Sequence, residues 1–280
     1  MIIIKHIGDL KKTIALFKKS QLRIGFVPTM GALHEGHISL INKSKQQMDI
    51  TICSIFVNPT QFNNAADFEK YPMTIEKDII FLESAGCDVL FLPSAQEMYP
   101  PNDPVLIYDL GYIETLLEGK YRPGHFQGVC RIVDKLLNAV TPDNLYLGQK
   151  DYQQCMVIQK MIEIKQYPTQ LVIGETIRES DGLAKSSRNM RLDEAERKQA
   201  LLIIETLRTI KEKINNSNPD TLIKDAEKSL TLQGFKVDYV AIADANNLQP
   251  IEIKNGDQKK VALIAAFIND IRLIDNLLLN

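Results

Sequence analysis

His34-Glu35-Gly36-His37 places two imidazoles three residues apart, in a chain with four histidines in all. The tetrapeptide follows an apolar run, Ile24-Gly25-Phe26-Val27, and a turn, Pro28-Thr29-Met30-Gly31-Ala32. Ile38, Leu40 and Ile41 then recur with helical spacing. A separation of three puts both rings on one face of the first helical turn. That turn also carries unpaired backbone N–H groups and the positive end of the helix dipole. Donors from rings and backbone converge where an anion such as a triphosphate would sit. The spacing excludes a zinc-protease helix, which needs His-Glu-x-x-His with ligands four apart. On its own, the tetrapeptide reads equally well as a helix start that happens to hold two histidines.

Further clusters could extend such a site. Asn58-Pro59-Thr60-Gln61 offers amide donors and acceptors suited to a small ligand with hydroxyl and carboxylate groups. By itself it is better read as a turn set by Asn-Pro. Gly148-Gln149-Lys150-Asp151 puts a glycine that allows close backbone approach beside a compact phosphate-binding charge. A helix capped by Asp151 with a solvated lysine is its competing reading. Lys185-Ser186-Ser187-Arg188 sets two hydroxyls between two cations, an anion clamp or a solvated loop. His125, in the turn Arg122-Pro123-Gly124-His125, reads as structural. Neither the P-loop nor the dinucleotide Gly-x-Gly-x-x-Gly fingerprint occurs, so a nucleotide would have to be held by the histidine pair, Lys150 and the Lys-Ser-Ser-Arg loop.

Positioning these groups requires a sheet. Ile24–Val27, Ile50–Val57, Val89–Leu92, Asn144–Leu147 and Leu171–Ile173 are short and apolar on both faces, as buried parallel strands are. Helical patterns lie between them near His37–Met48, Thr74–Ala85, Val129–Val140 and Tyr152–Ile164. The alternation predicts a doubly wound α/β domain over residues 1–176, which binds ligands beyond the C-terminal ends of its strands. Residues 177–280 predict a smaller α+β domain or lid. Its helices fall near Asp193–Ile214 and Asp220–Leu232, and its strands near Lys236–Ile242, Val261–Phe267 and Ile271–Ile274.

Bulk properties narrow the partners. The 280 residues are 45% hydrophobic and 24% charged, ordinary for a globular chain of one or two domains. A net charge of −2 and a pI near 6.1, with no basic patch, argue against a long nucleic acid. The four cysteines contain no Cys-x-x-Cys pair, which points to reduced, buried thiols in a cytoplasmic protein rather than a disulfide framework or zinc site. No signal-like N-terminus is evident, and no apolar run reaches the roughly 18 residues of a membrane helix.

Taken together and in this order, Val27-Pro-Thr-Met-Gly-Ala-Leu-His-Glu-Gly-His37, Phe56-Val-Asn-Pro-Thr-Gln-Phe62, Arg122-Pro-Gly-His-Phe126, Lys150-Asp-Tyr-Gln-Gln154 and Ser186-Ser-Arg-Asn189 closely resemble the pantothenate synthetase (pantoate–β-alanine ligase) family. That family belongs to the nucleotidylyltransferase superfamily. The resemblance implies a Rossmann-like sheet of that type and ATP-dependent condensation of (R)-pantoate with β-alanine through a pantoyl adenylate. It further implies Mg²⁺ as the accompanying ion and a cytoplasmic homodimer without membrane or nucleic-acid partners. The resemblance implies an ATP site lined by Met30, Gly31, Ala32, Leu33, His34, Glu35, Gly36 and His37, with Gly148, Gln149, Lys150, Asp151, Ile177, Lys185, Ser186, Ser187 and Arg188. His34, His37, Lys150 and Arg188 would carry the catalysis, His37 as the usual proton donor. Gln61 and Gln154 would hold pantoate, Gln61 also touching β-alanine. Asp78 matches an acidic position associated with Mg²⁺, although Lys77 stands where some relatives add a second acid. Gln149 replaces a common Glu, Lys185 an apolar residue, and Gln127 a residue that is often charged. A mononucleotide adenylyltransferase would share the histidine pair but need no paired glutamines, and a non-catalytic nucleotide binder is the other alternative.

Overall fold

The computed structural model describes residues 1–251 and 258–279. The chain forms two compact units. One comprises Met1–Gly148 and Val157–Glu175; the other comprises Gln149–Met156 and Thr176–Asn280. Segment 149–156, which the sequence reading counts with the first domain, therefore groups with the second.

The first unit is built on a six-stranded sheet in the order β1-β4-β3-β2-β5-β6. Its strands are β1 (Ile2–Ile4), β2 (Ile24–Thr29), β3 (Ile50–Ile55), β4 (Val89–Phe91), β5 (Asn144–Gly148) and β6 (Gln170–Gly174). All neighbours pair in parallel. The helices between them are α1 (Ile7–Lys19), α2 (Glu35–Gln47), α3 (Ala65–Glu69), α4 (Ile75–Ser84), α5 (Ala95–Met98), α6 (Leu117–Tyr121) and α7 (His125–Val140). Helix α8 (Tyr152–Lys165) starts in segment 149–156 and ends in this unit. Ile24, Phe26, Val27, Ile52 and Cys53 are fully buried, which is why β2 and β3 read as unbroken apolar runs. The strand order reverses between β2 and β5, and open α/β sheets bind ligands beyond the carboxyl ends of the strands at such a point.

β1 and α1 are additions to the predicted set. The edge strand β1 is three residues long with Ile2 and Ile3 exposed, so it carries no two-sided burial signal. α1 is lysine-rich and buries Leu10 and Ile14, one helical turn apart.

The second unit pairs α9 (Glu194–Lys213) and α10 (Pro219–Leu232) with an antiparallel sheet, β7 (Lys236–Asp244), β8 (Lys260–Ile268) and β9 (Ile271–Leu278), in that order. Asp193 and Glu196 close a capping box on α9, and Asn218 with Pro219 starts α10. Ile203, Leu207, Leu230, Ile264 and Ala266 lie in its core. β9 runs four residues beyond the apolar pattern, through the buried pair Asp275-Asn276. No helix among the described residues is long and apolar enough to cross a membrane.

All four cysteines are free and buried. Burial pushes the Cys87 thiol up to about 11 and Cys130 to about 12, and raises Cys53 and Cys155 as well. Since the thiolate is the reactive form, a disulfide reagent at pH 8 should label none of them in the native protein and all of them after denaturation. Rapid labelling of any thiol in the native state would contradict this packing.

Candidate active site

In the first unit the site is built where β2 hands over to α2. His34 is the N-cap of α2, and its Nδ1 accepts the Gly36 N–H at 3.2 Å. His37 Nδ1 in turn accepts the His34 N–H at 3.2 Å. The two histidines thus form a reciprocal capping box, the arrangement that Ser and Glu make more commonly. Their ring centroids are 4.0 Å apart. An imidazole nitrogen that accepts a backbone N–H carries no proton, so a neutral ring holds it on Nε2. Both rings then carry Nε2–H as a donor, oriented by the helix they cap. Gly36 allows this, because a Cβ there would lie 2.9 Å from the His34 ring.

The preceding loop needs outside support. Gly31 and Ala32 both adopt positive φ, 83° and 49°, and for alanine this conformation is strained. Asp78, on α4 and 1% exposed, supplies the support. It accepts the Ala32 N–H at 3.0 Å, the Leu33 N–H at 2.8 Å and the Thr74 hydroxyl at 3.1 Å. Its carboxylate therefore holds the backbone at Ala32 and Leu33.

Gln61 follows β3, the parallel neighbour of β2, so both strands open toward the same edge of the sheet. Asn58 donates to Gln61 Oε1 at 2.9 Å and to the Gly128 carbonyl at 3.2 Å. Asn58 Oδ1 accepts from the Tyr99 hydroxyl at 2.7 Å and the Thr60 hydroxyl at 3.0 Å. Burial raises the Tyr99 phenol, which keeps it a neutral donor. With Oε1 taken, Gln61 turns its Nε2 toward Met30, 3.1 Å from the sulfur. The Gln61 carbonyl meets His125 Nδ1 at 2.8 Å and Arg122 Nη2 at 3.4 Å. His125 is buried. Gly128 lets α7 approach this turn, since a Cβ there would meet the Thr60 carbonyl at 2.2 Å. Gln127, one of the departures noted above, bonds both backbone groups of Tyr108 and the Glu114 carboxylate. Gly148, also a predicted site residue, ends β5.

In the second unit, Gln149–Asp151 forms a 3-10 turn leading into α8. Lys150 is partly exposed, as is Gln154 one helical turn further on, while Gln153 is buried. Ile177–Arg188 is an ordered hairpin-like loop. Arg178 bridges Ala184, and the Lys185 N–H donates to the Ile177 carbonyl at 2.9 Å. Ser186 caps the 3-10 helix Ser187–Arg191, its Oγ accepting the Arg188 N–H at 3.3 Å. Lys185 pairs with Glu179 at 3.2 Å. Asn189 donates to the Ala184 carbonyl at 3.0 Å. The loop is thus held by its backbone bond at Ile177–Lys185 and by the contacts of Lys185, Ser186 and Asn189.

Sequence reasoning missed the groups that orient these residues: Tyr99, Arg178, Asp275 and Asn276, along with the loop-holding part played by Asp78. Tyr99, Asp275, Asn276 and Asp78 sit far along the chain from what they hold, and no local pattern marks them.

Comparison with known proteins places this geometry among relatives. The family model for Pantoate-beta-alanine ligase matches residues 2–278. A pantothenate synthetase of Bacteroides fragilis strain YCH46 is 41% identical over 278 residues, covering 99% of this chain and 98% of that one. The crystal structure of pantothenate synthetase from Thermus thermophilus superposes with a TM-score of 0.92 at 35% identity, covering 99% of each chain. That of the Francisella tularensis pantoate-beta-alanine ligase, complexed with Beta-gamma ATP and beta-alanine, gives 0.85 at 39% identity, covering 99% of this chain and 97% of that one.

Proposed function

We infer the work of individual residues from one premise: this chain belongs to the pantoate-beta-alanine ligase family and condenses (R)-pantoate with β-alanine in an ATP-dependent reaction. The observation that carries the assignment is the orientation of the histidine pair, whose reciprocal capping through Nδ1 makes Nε2–H the donor on both rings.

A pantoate carboxylate oxygen attacks the α-phosphorus of ATP. The bond from that phosphorus to the β-phosphate oxygen breaks, and pyrophosphate leaves. Negative charge grows on the phosphate oxygens along the way, and fixed donors stabilise it most where they are already oriented. His34 and His37 supply such donors through Nε2–H, His37 hydrogen-bonding the departing pyrophosphate, which leaves as the anion while the ring keeps its proton. Lys150 and Arg188 supply charge, and Ser186 and Ser187 add hydrogen bonds. Met30 to His37, Gly148 to Asp151, the Ile177 backbone and Lys185 complete the nucleotide contacts. The β-alanine amine then attacks the acyl carbon of the pantoyl adenylate. The bond to AMP breaks and the amine loses a proton, giving pantothenate. Gln61 and Gln154 hold pantoate for both steps, and Gln61 also meets β-alanine. The fixed amide of Gln61 supports its part, because Asn58 occupies Oε1 and leaves Nε2 as the group that meets a carboxylate or hydroxyl.

Magnesium enters this reading as the ion that would accompany ATP and offset the charge of its phosphates, while Asp78 is assigned here to the loop whose amides it accepts. The reading also includes a cytoplasmic homodimer. The apolar run Val105-Leu106-Ile107, with Val105 73% and Ile107 87% exposed, supports a self-association surface.

Labelled pyrophosphate should exchange into ATP when pantoate is present without β-alanine, and AMP should accumulate only when both are present. Exchange that ignores pantoate would indicate an adenylyltransferase of another specificity.

A further inference from the structure

Two adjacent residues of β9 hold both nucleotide-binding segments of the second unit. Asn276, 2% exposed, donates from Nδ2 to the Gln149 carbonyl at 3.0 Å and to the Lys150 carbonyl at 2.9 Å. Its Oδ1 accepts from Gln149 Nε2 at 3.3 Å. Those two carbonyls belong to the peptide planes on either side of Lys150. Fixing both planes fixes φ and ψ at Lys150, and therefore the direction in which its side chain leaves the backbone.

Asp275, also buried, takes the Arg178 guanidinium in a two-point contact, Nη1 at 2.7 Å and Nη2 at 3.0 Å. Arg178 in turn reaches the Gly182 carbonyl at 3.2 Å and the Asn276 carbonyl at 3.3 Å. This locks the base of the loop that continues into Lys185-Ser186-Ser187-Arg188. Asp275 also accepts the Asn276 N–H at 2.8 Å. β9 itself is held in register on β8, with Asp275 opposite Ile264 and Asn276 opposite Leu263.

We propose that Asp275-Asn276 is a positioning pair for the known reaction, setting Lys150 and the Ser186–Arg188 loop as one preorganised anion-binding surface. The proposal rests on the reading above that Lys150 and Ser186–Arg188 contact the nucleotide. Asn276 touches no reacting atom in this account and acts through Lys150.

The test is a double-mutant cycle with Lys150→Ala and Asn276→Ala, read as kcat/KM for ATP and KM for pantoate. Asn276→Ala should lower kcat/KM for ATP at least tenfold while KM for pantoate stays within about threefold. In the Lys150→Ala background the same change should have little further effect, because effects relayed through one residue are not additive. Full additivity, or unchanged ATP kinetics in Asn276→Ala, would overturn the proposal. If Lys150→Ala alone retains wild-type kinetics, the nucleotide reading fails instead, and a large Asn276→Ala effect would then show that Asn276 does not act through Lys150. Should Asn276→Ala melt below the assay temperature, Asn276→Ser carries the same cycle: its hydroxyl keeps a buried polar group but has a single proton and cannot hold both carbonyls.

Discussion

His37→Ala should lower pantoate-dependent pyrophosphate exchange by about 100- to 1,000-fold, the cost expected when a preorganised donor to developing phosphate charge is lost. The side chain has two tasks that the substitution separates from the rest of the site. Its Nδ1 accepts the His34 N–H, and its Nε2–H is the donor. Alanine abolishes both, leaving the N-cap amide to water at a stability cost of about 1 kcal/mol. That cost is small beside the loss in turnover, so the variant should remain folded, and circular dichroism with a melting curve checks this directly. Gly36→Ala should fail by the same route with the histidines intact, since its new Cβ would lie within 2.9 Å of the His34 ring and drive it from its capping position. Exchange rates within about threefold of wild type in His37→Ala would remove the histidine pair from the chemistry and leave it as a cap.

Asp78→Ala should destabilise the first unit by about 2–4 kcal/mol and lower kcat/KM for ATP about 10- to 100-fold. The carboxylate accepts two backbone N–H groups and a hydroxyl at a site sealed from solvent. Removing it strands all three donors, and unpaired buried donors are among the few causes of large single-residue effects. The loop it holds includes Ala32 at positive φ, a conformation that relaxes once its amide is released. Met30 to Leu33 would then no longer line the approach to the histidine pair in one conformation. Denaturant titration reads the first effect, and steady-state kinetics over ATP the second. Excess magnesium distinguishes this account from a metal-ligand role. A positioning carboxylate gains nothing from added Mg²⁺, so recovery of Asp78→Ala activity at high Mg²⁺ would sink the loop-holding interpretation.

The fold was legible wherever burial imposed a local pattern. β2 to β5 read as apolar runs because both faces of a parallel sheet are covered, and β6 at the edge reads so through Leu171-Val172-Ile173, which are partly buried. α9 and α10 announced themselves through Asp193, Glu196, Asn218 and Pro219. β1 escaped notice because a three-residue edge strand with two exposed isoleucines has no distinguishing pattern. The end of β9 escaped because Asp275 and Asn276 interrupt its apolar pattern, even though both are buried.

The chemistry divides in the same way. Two histidines three apart after a strand and turn are a local arrangement, so the amino-acid order alone specified a helix start with both rings on its first turn. The ordered motifs from Val27 to Asn189 likewise specified the family. How those groups are held became visible only in the folded chain. The folded chain shows which imidazole nitrogens accept the backbone N–H groups, that Asp78 holds the loop, that Asn58 bonds the Gln61 amide, and that Asn276 of β9 bonds the carbonyls of Gln149 and Lys150. The cause is distance along the chain. Asp78 is 46 residues from Ala32 and Asn276 is 127 from Gln149, so these hydrogen bonds depend on folding to bring the partners together, and no periodicity or spacing rule encodes them.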